Sequence, residues 1–350
     1  MDHSGPTFTV LMAAYDTERW IAEAIDSVLA QTREDWELIV IDDGSPDALA
    51  KRVQQFASED GRVRLIRQAN QGIGAARNAG AALARGRYLT VLDSDDALLP
   101  DYLETVGALL DARPEVGMVS CDALVYLDAR GHFRRTTYLQ GRRVEPPRRP
   151  DPERHLERLL DHNFIYPGAT VRRSVFDSIG GFDPDRAVLG SDDWQLWIRI
   201  AASGAETAVV ARPLDTYRFR PGSGSRNEDG SCRLHAASER VLEKALGELS
   251  LAPAARRAGQ KAHARHRRLA RFDEARAALL GGDTEAALRL ARAGLHAQPT
   301  PKGAVIVGAL RLAPGVLQRL HRPKRRLREA IDSAMRRLVS RPASELSARG

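Results

Sequence analysis

Two periods alternate along the first hundred residues. Phe8-Thr9-Val10-Leu11-Met12-Ala13-Ala14 is a short apolar run, the pattern of a strand buried on both faces. Trp20, Ile21, Ala24, Ile25, Val28 and Leu29 then recur at helical spacing and give one apolar stripe. Leu38-Ile39-Val40-Ile41 predicts a second strand, which stops at Asp42-Asp43-Gly44. Ser45 and Pro46 read as the N-cap and first position of a helix running to about Ser58. Residues 63–66 predict a third strand and the Ala-rich stretch 74–85 a helix. A fourth strand, 88–92, ends at Asp93-Ser94-Asp95-Asp96. Such alternation implies parallel strands joined by right-handed crossovers, and so a three-layer α/β domain.

Beyond residue 115 the pattern is mixed. Residues 116–127 read as strand, and Gly131 marks a turn into 133–138. The Pro- and Arg-rich stretch 142–152 reads as a loop, with helices near 153–161, 174–179 and 192–203. From 235 to 350 the chain reads as helical throughout. Residues 271–297 carry Ala and Leu at the spacing of a tetratricopeptide helix pair. One unit does not make an array, so a helical hairpin is expected. Residues 303–317 are apolar but interrupted by Arg311, and 319–328 form a dense basic run.

Hydrophobic residues make up 43% of the 350 and charged residues 28%, which excludes disorder, collagen or a disulfide scaffold for the whole chain. Two cysteines, Cys121 and Cys232, form no framework, and Cys121 falls in a strand as a buried small residue. Residues 1–7 lack a basic stretch followed by an apolar core, so no secretory leader is expected. No apolar run is long enough to span a bilayer. Charge divides the chain unevenly. Residues 1–240 hold 30 Lys+Arg against 37 Asp+Glu, and residues 241–350 hold 23 against 9. An acidic body joined to a basic tail suggests two tasks.

In open α/β sheets ligands bind beyond the carboxyl ends of the strands, where Asp42/Asp43 and Asp93/Asp95/Asp96 fall. Clustered carboxylates repel one another unless a cation compensates them, and oxygen ligands suit Mg²⁺ or Mn²⁺. A helix N-cap at Asp95 or Asp96 is the plainer reading of the second cluster. Gly72-x-Gly74 lacks the third glycine of a dinucleotide fingerprint, because position 77 is Arg. The nine His show no zinc spacing.

The ordered set of segments is larger than any one of these motifs. It comprises Val10-Leu11-Met12-Ala13-Ala14-Tyr15-Asp16, Ser27-Val28-Leu29-Ala30-Gln31-Thr32, Ile41-Asp42-Asp43-Gly44-Ser45-Pro46-Asp47, Asn70-Gln71-Gly72-Ile73-Gly74-Ala75-Ala76-Arg77-Asn78-Ala79-Gly80, Gly86-Arg87-Tyr88 and the Asp cluster. Together they closely resemble the inverting glycosyltransferases of family 2, over about residues 8–225. The resemblance implies a GT-A fold that uses a nucleotide-sugar donor, UDP-linked, with Mn²⁺ or Mg²⁺. It implies that Ala13 and Tyr15 line the base pocket, Tyr15 by stacking, and that Asp43 meets the base edge. Asp93 and Asp95 would hold the metal and Asp96 would share that task. Arg77 would face the diphosphate, or else pair at the surface with an Asp. Gly190-Ser191-Asp192-Asp193-Trp194 resembles the family's Glu-Asp motif, with Asp193 as the base that takes the acceptor hydroxyl's proton. The plainer reading is a helix capped by Ser191 or Asp192, with Trp194, Leu196 and Trp197 packed inside. In Tyr217-Arg218-Phe219-Arg220-Pro221-Gly222-Ser223-Gly224-Ser225, Arg220 stands where many relatives have a His, and a guanidinium there would pair with the diphosphate rather than a metal.

The expected domains are 1–230, the transferase, and 231–350, a basic helical extension. The extension reads either as a helix pair on an anionic membrane surface or as a solvated cap or homodimer element. The expected acceptor is a glycan, free or lipid-linked, for a cell-surface polysaccharide. The expected location is the cytoplasm, at the inner face of the membrane. No nucleic-acid-binding module is recognised. A nucleotidyltransferase and a non-catalytic sugar-binding scaffold are the competing functions; intact Asp motifs speak against the scaffold.

Overall fold

The structure is a computed structural model and describes residues 5–142, 152–165, 168–220 and 233–318. The first half of the sheet is built from β1 (Phe8–Ala14), α1 (Glu18–Leu29), β2 (Trp36–Asp42), α2 (Leu49–Glu59), β3 (Val63–Arg67), α3 (Ile73–Ala82) and β4 (Tyr88–Val91). Next come β5 (Ala97–Leu98), α4 (Tyr102–Ala112), β6 (Val116–Leu127), β7 (His132–Phe133) and α5 (Tyr138–Arg142). Then follow α6 (Pro152–Asp161), β8 (Ala169–Arg172), α7 (Arg173–Ser178), α8 (Asp192–Ala202) and β9 (Glu206–Phe219). The remaining helices are α9 (Arg233–Glu248), α10 (Pro253–Gly281), α11 (Thr284–Ala297) and α12 (Pro301–Leu312).

The strands form one sheet in the order β3-β2-β1-β4-β8-β6-β9-β5, with β7 paired to β6. Every residue of β1, β2 and β4 is buried, as strands covered by helices on both faces require. β1 runs parallel to β2 and β4, and β2 to β3. β8 then pairs antiparallel with both β4 and β6, while β6 runs parallel to β9, so the sheet is mixed. The strand order reverses between β1 and β4, and crevices open at such switch points. Gly86 is needed where the chain enters β4: a Cβ there would be driven into the backbone of Phe8 and Thr9.

Most predicted elements are found within a residue or two. α2 differs, starting at Leu49 rather than Pro46. The backbone N–H of Ser45 is held by Asp42 Oδ1 (2.8 Å) and that of Leu49 by Asp47 Oδ1 (3.2 Å), so carboxylates turn the chain before the helix begins. The stretch 133–138 gives only the end of β7 before α5 starts. Trp20, counted in the apolar stripe of α1, is only partly buried, whereas Ile21, Ala24, Ile25 and Val28 are fully buried.

By its contacts the chain forms two compact units, residues 1–225 with 236–263 and residues 226–235 with 264–350. The core of the second unit is Ala275, Leu279, Ala287, Ala291 and Leu310. Gly282 (φ 94°) turns the chain between α10 and α11 as the expected hairpin, and Asp283 caps α11 through the N–H of Ala286. Thr300 caps α12 in the same way, with Pro301 at its start. Breaks at 249–252, 282–283 and 298–300 divide the region read as helical throughout. No helix among the described residues is long and apolar enough to cross a membrane. The basic run 319–328, the segment 221–225 and Cys232 lie outside the described residues.

Candidate active site

The register places the carboxyl ends of β2, β1 and β4 side by side, with Ala14 opposite Asp42 and Leu11 opposite Val91. The residues following these three strands therefore share one rim. Tyr15 follows β1 there and is half exposed. Ala13 is buried beneath it. Asp16 adopts a left-handed backbone (φ 55°), and its N–H is held by Ser45 Oγ (3.3 Å).

Asp43 is nearly fully engaged. Its Oδ1 accepts from Gln68 Nε2 (2.8 Å) and the N–H of Gln71 (2.9 Å), and its Oδ2 from the N–H of Gly72 (2.8 Å). A carboxylate offers about four acceptor positions. The carboxylate expected to meet the base edge thus ties down the glycine turn and keeps a single position open.

Arg77 is also placed differently from the expectation. It is buried, not aimed freely at a phosphate. One nitrogen bonds Asp93 Oδ1 (2.5 Å), another bonds Asp192 Oδ2 (2.7 Å), and the guanidinium lies 5.0 Å from the Phe182 ring. Burial opposes its charge, but Asp93, Asp192 and Asp193 together raise its pKa above the ordinary arginine value. The surface pairing offered as the alternative is thus a buried bridge between the two acidic motifs.

Across the rim, Asp95 Oδ2 accepts from Arg220 Nε (2.5 Å), and the Arg220 guanidinium lies 4.3 Å from the ring of Trp20. Burial, offset by Arg220 and reinforced by Asp93, raises the pKa of Asp95. Asp96, expected to share the metal with its neighbours, is buried here. It turns into the fold, where Oδ1 accepts the N–H of Arg218 (2.7 Å), and burial beside Asp95 and Asp215 raises its pKa well above the carboxylate range. Among the described residues no three of His, Cys, Asp and Glu are grouped to hold a metal. Two remain suited to one: no hydrogen bond reaches Asp93 Oδ2 or Asp95 Oδ1 among the described residues. These are hard oxygen donors of the kind Mg²⁺ and Mn²⁺ take.

Asp193 is the second residue of α8 and is partly buried. Burial, and next the charge of Asp192, push its pKa up to about 7. Its Oδ2 accepts from Asn163 Nδ2 (3.3 Å). Ser191 makes no side-chain cap, and Asp192 spends its carboxylate on Arg77 and the N–H of Gly190, so neither serves merely to cap α8. Trp194, Leu196 and Trp197 are buried as expected.

Sequence reasoning passed over Arg218 and Asn163. Arg218 is buried and bonds the Asp95 carbonyl (2.9 Å), Asp128 (3.2 Å) and Glu23 (2.6 Å). The signal for it was two-residue spacing: Arg218 near the end of β9 and Arg220 just past it both reach the Asp cluster. For Asn163, between α6 and β8, no local pattern exists.

The fold and rim place the chain among α/β transferases with acidic strand-end motifs, and comparison identifies which. Residues 9–180 match the family described as Glycosyl transferase family 2. The succinoglycan biosynthesis protein ExoO of Rhizobium meliloti (strain 1021) is 34% identical over 282 residues, 79% of this chain and 76% of that protein. The chain belongs to glycosyl transferase family 2. It spans a third or less of the length of two other curated relatives that it matches. Among solved structures, S. aureus TarS 1-349 in complex with UDP-GlcNAc superposes with a TM-score of 0.61 at 16% identity, covering 86% of this chain and 84% of that one. The mannosyltransferase PcManGT of Pyrobaculum calidifontis, in complex with GDP-Man and Mn²⁺, gives 0.56 at 19% identity, covering 93% and 84%. These two share the fold.

Proposed function

We propose that this chain is an inverting glycosyltransferase that moves a sugar from a nucleotide-sugar donor, UDP-linked, to a glycan or lipid-linked acceptor in cell-surface polysaccharide synthesis. The observation that carries the proposal is Asp193. It is a carboxylate tuned to about 7 and fixed near the Asp93/Asp95 pair by the Arg77 bridge through Asp192. A base with a pKa close to the working pH accepts a proton efficiently while remaining substantially ionised. Asp193 takes the proton of the acceptor hydroxyl as that oxygen attacks the anomeric carbon. Asn163 orients the accepting carboxylate. Tyr15 stacks on the donor base and the turn held by Asp43 walls its pocket. Arg220 exchanges Asp95 for the donor diphosphate, the geometry a planar guanidinium favours. Asp93 and Asp95 would hold Mn²⁺ or Mg²⁺, which supplies charge neutralisation to the departing diphosphate. The succinoglycan role in ExoO's name, the UDP-GlcNAc of TarS and the GDP-Man and Mn²⁺ of PcManGT support this reading.

Titration with UDP, GDP, dTDP and CDP, each with Mn²⁺ and with EDTA, tests it. UDP should bind, and only with metal. If no nucleotide binds in either condition, the donor site is misread.

For the second unit we propose contact with an anionic membrane on the cytoplasmic side. On α12, Val305 is 70% and Leu312 85% exposed, beside Lys302 and Arg311. The V305S/L312S variant should bind phosphatidylglycerol vesicles at least several-fold more weakly than wild type. Equal binding refutes the membrane role.

A further inference from the structure

Arginines in the first unit are mostly engaged with acceptors. Arg62 pairs with Asp60, Arg67 with Asp42, Arg85 with Glu37, Arg212 with Asp101, Arg218 with Asp128 and Arg240 with Asp185. One stretch departs from this. Residues 129–142 hold four arginines, Arg130, Arg134, Arg135 and Arg142, and no Asp or Glu. All four are exposed, and none pairs with a carboxylate among the described residues. Phe133, which opens this basic face, is 52% exposed and sits next to Arg134 in the chain. Arg134 lies beside the α5 backbone, its nitrogen within 3.4 Å of where a Gly141 side chain would be, so it shares the α5 end of this face with Arg142.

Two chains of contact link this face to the acidic rim. Phe133 packs edge-on against Tyr126 (5.2 Å between centroids), and Arg218, which bonds the Asp95 carbonyl, lies 5.0 Å from the Tyr126 ring. Tyr138 packs edge-on against Tyr217 (5.6 Å), the residue before Arg218, and Arg142 both stacks over Tyr138 and bonds its hydroxyl. Burial raises the Tyr138 pKa, Arg142 opposes this, and the charges of Asp193 and Asp96 add to it, so the phenol lies within the field of the base.

Cations without counter-ions beside an exposed apolar ring suit a ligand that is anionic at one end and apolar at the other. We propose that the exposed face of residues 130–142 anchors the acceptor by binding a phosphate or diphosphate group that links the acceptor glycan to an apolar chain. Arg134, Arg135 and Arg142 take the phosphate oxygens, Phe133 meets the apolar portion, and Tyr138 ties this anchor to β9 through Tyr217. The proposal rests on the acceptor side of the transferase reading but not on its donor side.

The test uses the 350-residue chain, saturated with UDP and Mn²⁺ so that the donor pocket is filled. Inorganic pyrophosphate and geranyl diphosphate are titrated against wild type and the R134A/R135A/R142A variant. Wild type should bind both, geranyl diphosphate more tightly, and the variant should lose at least tenfold in affinity while binding UDP unchanged. Equal affinity in wild type and variant, or complete displacement of both probes by UDP, overturns the proposal. So does a variant whose only loss is in binding phosphatidylglycerol vesicles, because the face would then contact a membrane rather than an acceptor. If UDP itself fails to bind, the donor reading falls, and the diphosphate titration still decides the anchor.

Discussion

Asp193→Asn should lower transfer by on the order of 10² or more while leaving UDP binding within about twofold of wild type. Asn matches the shape of the carboxylate and keeps a contact to Asn163, but it cannot take a proton from the acceptor hydroxyl. The loss should therefore fall on kcat rather than on donor affinity. The wild-type pH profile should show an ascending limb, since the base works only when ionised. The stability of the two proteins should diverge in the opposite sense. In the folded chain Asp193 keeps its proton up to about 7, whereas in the unfolded chain an aspartate releases it near the ordinary carboxylate value. Across that window the folded state binds more protons, so this residue's contribution to stability falls as pH rises. Asp193→Asn removes the term, and the variant should become stable relative to wild type as pH goes from 5 to 8. Urea unfolding at both pH values measures this. Transfer within a few-fold of wild type, with normal stability, would show that Asp193 is not the base.

Much of this arrangement was legible in the sequence because it follows local periodicity. Residues 8–14, 38–41 and 88–92 are runs too short and too apolar for surface helices, and acidic residues follow within two positions of each end. Any parallel sheet aligns those ends, so Tyr15, Asp43 and Asp93 were bound to meet. What each side chain does there was not legible, since it depends on partners distant in sequence. Asp43 is claimed by residues 68–72, Asp96 by the N–H of Arg218 and Arg77 by Asp192, 115 positions away. The antiparallel insertion of β8 between β4 and β6 was likewise hidden, because pairing direction leaves no trace in the period of one strand. The basic character of residues 129–142 carries no meaning in the sequence alone, because only the fold shows which arginines elsewhere have carboxylate partners.

Arg77 should prove the most sensitive structural position in the site. It is one buried cation between Asp93 and Asp192, with the charge of Asp193 also acting on it. Removing one partner of a buried ionic cluster costs more than the cluster contributes, because the remaining charges stay desolvated without compensation. Such losses run to about 3–5 kcal/mol. Arg77→Met keeps much of the packing on Phe182 and removes the charge, so it should lower the unfolding free energy by roughly that amount. Arg77→Lys should recover only part of it, because one ammonium on a flexible stem does not reproduce the fork that reaches both carboxylates. The loss should shrink toward low pH, where Asp192, whose pKa burial raises, protonates and no longer needs the cation. Adding Asp192→Asn to Arg77→Met should restore stability in part, the non-additive result expected for residues in direct contact. Urea unfolding of the two single variants and the double at pH 5 and 8 decides the matter. If Arg77→Met unfolds within about 1 kcal/mol of wild type at pH 8, below the range expected for a broken buried pair, the bridge does not hold the two acidic motifs together. Asp193 would then need another support to stay near the rim.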